Sequence, residues 1–211
     1  MILEIFSCGP IETNTYLIAC DKTKRAAIID TPYDSFELLR DRLKELSLSL
    51  EMVLFTHSHW DHTAEAALFK KEFHVPLWVH ADDAGNLENP GSDRLPLLGA
   101  IEGVKPDHYL KEGESISLGE IEIRVIHTPG HTPGGVCFYV PSEHVLFSGD
   151  TLFRGTIGNI SFPTARPALM WESLKKLAQL PANTKVFPGH GEPTTIGEES
   201  WLARAQQKYG G

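Results

Sequence analysis

The sequence predicts an α/β layered fold, and three observations predict it. Short apolar runs of strand length recur along the chain, several of them separated by amphipathic stretches at helical spacing. Three runs end alike: Val53-Leu54-Phe55-Thr56 before His57, Val145-Leu146-Phe147-Ser148 before Gly149-Asp150, and Val186-Phe187-Pro188-Gly189 before His190. Buried strands that deliver a polar residue at their ends suit open sheets, whose sites lie just beyond the strand ends. The third observation is size and composition. A chain of 211 residues, 41% hydrophobic and 22% charged, is ordinary for this class. It is long enough to bury about 70–75% of its unfolded surface without staples. The echo of strand and site residue suggests two sheet halves converging on one site. Nothing reads as a linker, so residues 1–211 are expected to form a single domain.

The elements follow in order. Ile2–Phe6, Thr15–Cys20 and Ala26–Ile29 are the first expected strands, parted by Gly9-Pro10 and a polar turn at 21–25. A helix over Ser35–Leu46 keeps Phe36, Leu39, Leu43 and Leu46 on one face, with Asp34 and Glu37 placed as a capping box. Met52–Phe55 is a buried strand. Asp61–Phe73 reads as a helix with a carboxylate at its favourable N-terminal end. Leu77–Val79 is the next strand, and residues 81–107, rich in Pro, Gly and Asp, are expected to form an irregular insertion over the site. Strands resume at Ser115–Leu118, Ile121–Ile126, Val136–Val140 and Val145–Phe147. A long loop over Thr151–Ala165 leads to a helix over Ala168–Leu180 that Pro181 stops. Lys185–Phe187 is the last expected strand and Glu198–Tyr209 the last helix.

Charge and composition narrow the function. A formal net charge of −9 argues against a general binder of nucleic acid or of anionic membrane, which needs a basic face. No apolar run is long enough to span a bilayer, and the first ten residues lack the basic start of a secretory leader. Cys8, Cys20 and Cys137 share no metal or redox spacing and read as buried free thiols. These features make the cytoplasm the expected location, with neither nucleic acid nor membrane as a partner.

The chemistry is concentrated in Thr56-His57-Ser58-His59-Trp60-Asp61-His62-Thr63. Three imidazoles and a carboxylate packed this closely can serve more than one metal ion. Imidazole nitrogen and carboxylate oxygen suit zinc, iron and manganese. Further along come His127-Thr128-Pro129-Gly130-His131, Ser148-Gly149-Asp150-Thr151 and Pro188-Gly189-His190-Gly191.

With these motifs the chain resembles the metallo-β-lactamase superfamily, and within it the short glyoxalase II-like (hydroxyacylglutathione hydrolase-like) branch. The resemblance runs from Asp30 to about Gly197. It implies a four-layer αββα sandwich with a two-metal site at the sheet edge. It assigns His57, His59 and His131 to one divalent ion and Asp61, His62 and His190 to the second, with Asp150 between them. Zinc is the expected metal, with iron or manganese as the other choices. The implied activity is thioester hydrolysis by a metal-bridging hydroxide, on S-D-lactoylglutathione or a related acyl thioester, with Asp61 and Asp150 as the catalytic carboxylates.

Asp30 matches an acidic position that supports the histidine loop. His127 is expected to pack beside the site, not to ligate. His74, His80, His108 and His144 have no motif around them. The chain departs from the branch at Asn159 and Ser161, where a cation and an acidic or phenolic residue are usual. Only 20 residues follow Gly191, too few for the helical segment that binds glutathione in long relatives. Two other activities on the same fold compete. One is an iron-dependent persulfide dioxygenase using His57, His131 and Asp150, and the other is a lactonase.

Overall fold

The computed structural model describes residues 1–209. Two six-stranded sheets pack face to face. The first holds β1 (Ile2–Cys8), β2 (Thr13–Ala19), β3 (Arg25–Ile29), β4 (Ser49–Leu54), β5 (Leu77–His80) and β6 (His108–Leu110), in that spatial order. The second holds β7 (Ser115–Leu118), β8 (Ile121–His127), β9 (Val136–Val140), β10 (Val145–Gly149), β11 (Lys185–Pro188) and β12 (Thr194–Thr195), again in sequence order across the sheet.

Strand alternation explains the layers. In β2, Tyr16 and Ile18 point into the inter-sheet core with Ile29, Leu54, Phe138 and Phe147, whereas Leu17 and Ala19 point outward. The outward face is covered by α1 (Phe36–Glu45) and α3 (Ala66–Phe73), through Leu39, Leu43 and Phe69. On the far side, Cys137, Leu146 and Val186 pack against Met170, Leu174 and Leu177 of α5 (Pro167–Leu177). The result is the αββα sandwich. No helix among the described residues is long and apolar enough to cross a membrane.

The strand echo has a topological basis. Each sheet begins with antiparallel neighbours; the first then runs parallel from β3 through β6, and the second gains one parallel pair, β10 with β11. Strands β3, β4, β10 and β11 end at one edge of the sandwich, just before Asp30, the His57 loop, Asp150 and His190.

Several boundaries differ from expectation. The helix expected over Asp61–Phe73 is two, a short α2 (Trp60–Thr63) and α3, because the chain breaks at Glu65. The Glu65 N–H donates to the Thr31 carbonyl, and its carboxylate accepts from Asp34 N, Phe36 N and Ser35 Oγ at 3.0, 2.6 and 3.1 Å. Glu65 therefore caps α1, and the Asp34–Glu37 capping box does not form. Residues Ala81–Glu88 of the expected irregular insertion form a helix, α4, with the His80 side chain accepting from Asp82 N. The helix expected over Ala168–Leu180 ends at Leu177. Of the helix expected over Glu198–Tyr209, Ala205–Tyr209 is α-helical (α6), preceded by a 3₁₀ turn at Leu202–Arg204. Strands β6 and β12, of three and two residues, are too short for periodicity to reveal.

Candidate metal centre

At the shared edge the seven residues singled out by sequence come together. His57, His59 and His131 offer nitrogens within 4.8 Å of one another, and so do the ligand atoms of Asp61, His62 and His190. Asp150 faces both groups, with Oδ2 3.4 Å from His131 Nε2 and 3.7 Å from His190 Nε2, and Oδ1 3.4 Å from His62 Nε2. His59 Nδ1 and His131 Nε2 lie 2.9 Å apart. His62 Nε2 and His190 Nε2 stand 3.2 and 3.3 Å from Asp61 Oδ2.

All but His190, which is partly exposed, are almost wholly enclosed, yet polar atoms such as His57 Nε2, His62 Nε2 and Asp150 Oδ1 find no hydrogen-bond partner among the described residues. Polar atoms buried without a partner are costly, and a convergent set of lone pairs is what a cation would relieve. The donor set therefore fits two divalent ions.

Electrostatics around the cluster point the same way. Burial, helped by the neighbouring histidines, pushes His57 well below the ordinary histidine value and His59 down to about 3. Both are thus held neutral, the form that ligates. Burial also opposes charge on His62, but Asp61, Asp150 and Asp30 outweigh it and hold that imidazole well above its ordinary value. Burial likewise opposes charge on Asp61 and Asp150, and His62 beside them keeps both carboxylates ionised far below their usual range.

The supporting shell is built from both sheets. Asp30, 1% exposed, accepts from Thr56 N and Thr56 Oγ1 at 2.8 and 2.7 Å and sits 2.8 Å from His62 Nδ1. It thereby fixes the start of the histidine loop and one imidazole at once. Sequence reading missed three further residues. Thr13 Oγ1 donates to Asp61 Oδ2 at 2.9 Å. Asp83 accepts from Ser58 N and Gly134 N at 3.0 and 2.6 Å, tying the His57–His62 loop to the loop that carries His131. Asn14 donates through Nδ2 to the Pro188 and Gly191 carbonyls at 3.0 and 2.9 Å, which clamps the His190 turn onto β2. None of the three lies in a motif, so no local signal marks them.

His127 lies outside the cluster, as expected. Its Nε2 donates to the Pro133 carbonyl at 3.1 Å, and its ring stacks on His80 at 4.1 Å with an interplanar angle of 11°. Asp82 stands nearby, and the ligand atoms of His80, Asp82 and His127 also lie within 4.8 Å of one another, on a partly exposed face of the molecule. The three cysteines are buried and unpaired.

A fold of two sheets with this seven-residue edge defines a class of metal-dependent hydrolase. The chain matches the metallo-beta-lactamase superfamily over residues 8–190 and belongs to that superfamily. It is 36% identical over 203 residues to the hydroxyacylglutathione hydrolase GloC of Haemophilus influenzae, covering 94% of this chain and 95% of that one. Among solved structures it is similar to the BLEG-1 B3 metallo-beta-lactamase, with 37% identity, a TM-score of 0.87 and coverage of 94% and 96%. It is also similar to the di-iron-bound form of TTHA1623, with 34% identity, a TM-score of 0.81 and coverage of 93% and 96%.

Proposed function

We propose that the chain is a two-metal thioester hydrolase of the glyoxalase II type, acting on S-D-lactoylglutathione or a related small acyl thioester. The observation that carries the reading is the completeness of the second ligand group. Asp61, His62 and His190 stand beside His57, His59 and His131, with Asp150 facing both. A single-iron oxidoreductase would use His57, His131 and Asp150 and leave the second group without work. The similarity to the Haemophilus influenzae hydrolase supports the thioester assignment.

Two divalent ions in this donor set, zinc before iron or manganese, would supply an acidified water and an electrophile for the carbonyl oxygen. The chain's own residues prepare the ground for that chemistry. Asp150 faces both groups, Oδ2 toward His131 and His190 and Oδ1 toward His62, and would be a ligand shared between the two ions. Thr13 and the imidazoles of His62 and His190 fix Asp61 Oδ2, so Asp61 acts from a set position. Phe162 lies edge-on to His59 and His131, with ring centroids 5.5 and 5.6 Å away, and Phe153 lies 6.1 Å from His190. These rings give the two flanks of the cluster apolar walls that hold off bulk water. Asn159 turns its Oδ1 onto the Ser161 N–H at 2.8 Å, so this part of the loop presents no charge, and Arg154 and Arg166 are the loop's cations.

The test is hydrolysis of S-D-lactoylglutathione by zinc-reconstituted protein, followed as loss of thioester absorbance, with Asp150→Ala as the blank. Turnover in the wild type that is lost in the variant is the expected result. No turnover on this or other acyl thioesters, with both ions bound, would refute the reading. Oxygen uptake by iron-loaded protein supplied with glutathione persulfide would replace it with the oxidoreductase.

A further inference from the structure

Four of the five histidines in the cluster obey one rule. Each rests Nδ1 on an oxygen and leaves Nε2 to the cluster. The oxygens are Thr56 Oγ1 for His57 at 3.0 Å, Asp30 Oδ2 for His62 at 2.8 Å, the Asn159 carbonyl for His131 at 2.8 Å and the Ile11 carbonyl for His190 at 3.2 Å. Such outer contacts fix the tautomer and the ring angle of a ligating imidazole.

His59 is reversed. Its Nδ1 faces the cluster, 2.9 Å from His131 Nε2, so Nε2 is the outer atom. That Nε2 is buried and has no hydrogen-bond partner among the described residues. The group it faces is Asp93, whose Oδ2 lies 4.0 Å away. Asp93 is itself only 5% exposed, and its position is set on three sides. Oδ2 accepts from Asn86 Nδ2 at 2.9 Å, Oδ1 accepts from Leu95 N at 2.9 Å, and Asp93 N donates to Asn86 Oδ1 at 3.1 Å. Asn86 Nδ2 also donates to the Ser58 carbonyl at 2.6 Å, so one amide joins the Asp93 loop to the residue next to His59.

We propose that Asp93 is the positioning residue for His59: its carboxylate faces the outer Nε2–H and so favours the tautomer that leaves Nδ1 free for the ion that His57 and His131 would share. At 4.0 Å the two atoms stand at ion-pair distance, beyond a direct hydrogen bond, and Asp93 Oδ2 is the carboxylate oxygen that Nε2 faces. The inference rests on the two-metal reading and adds to it an outer partner for the first ion alone.

Two backgrounds separate this role from a loop-building one. His190→Ala leaves the first group intact, and His131→Ala leaves the second. Zinc affinity is measured in each by competition with a chelator, with and without the isosteric change Asp93→Asn, the circular dichroism spectrum of each variant being compared with its background. In the His190→Ala background, Asp93→Asn is expected to weaken zinc binding about 10- to 100-fold, the usual cost of losing an outer partner. In the His131→Ala background it is expected to change nothing. Equal weakening in both backgrounds, or none in either, would overturn the proposal and leave Asp93 as a loop anchor. A wild-type chain that binds fewer than two ions would instead refute the two-metal reading beneath it.

Discussion

Asp30 adopts a φ of +61°, a left-handed conformation that costs most side chains about 1–2 kcal/mol. The strain is local to a residue whose carboxylate holds both Thr56 and His62, so the turn and the contacts offset each other. Gly189 shows the same economy of space in another way. A Cβ there would stand 2.2 Å from Asp150 Oδ1 and 2.8 Å from His62 Cε1, so only glycine lets Asp150 lie against the second group. Gly189→Ala should therefore displace Asp150 and lower turnover on the order of 10²-fold, with the circular dichroism spectrum unchanged. An alanine variant with full activity would mean that Asp150 does not work from this position. At this scale the sequence was legible where chemistry restricts residue type. His57, His59, Asp61 and His62 stand out because so few residues serve a cation, and because they are close in the chain. Thr13 and Asp83 were not legible, since they act on partners 48 and 51 positions away and their residue types are common at any turn.

Strand β9 is buried along its whole length, with Phe138 in the inter-sheet core and Cys137 facing α5. Burial pushes the Cys137 thiol from 9.0 up to about 11, with Thr128 working weakly the other way. The folded pKa lies above the unfolded one, so this contribution to stability is complete below pH 9 and is lost as pH rises toward 11. Urea unfolding across that window should show the wild type losing about 1.4 kcal/mol per pH unit more than Cys137→Ala. Parallel slopes would show that the thiol ionises freely in the folded protein. Element order was legible from periodicity, because buried strands and amphipathic helices carry patterns of their own. Element ends were not. The break at Glu65 and the cap it gives α1 depend on a contact 29 residues away, and α4 is masked by a sequence rich in Asp and Gly.

The molecule as a whole is two half-sandwiches whose parallel strands end at one edge, and the cluster exists only while the halves stay in register. Asn14 fastens the His190 turn of the second sheet to β2 of the first. Asp83 fastens the His131 loop to the His57–His62 loop. The αββα layering could be expected from the family resemblance, and the strand echo hinted at the convergence of the halves. The clamps between them are contacts of tertiary structure alone. The proposed function requires that these halves together hold two divalent ions, one of them through His190. The most direct measurement is the metal content of the zinc-reconstituted chain by elemental analysis, wild type against His190→Ala. Near two ions per chain falling to near one in the variant is the predicted result. A single ion in the wild type, or two retained without His190, would contradict it.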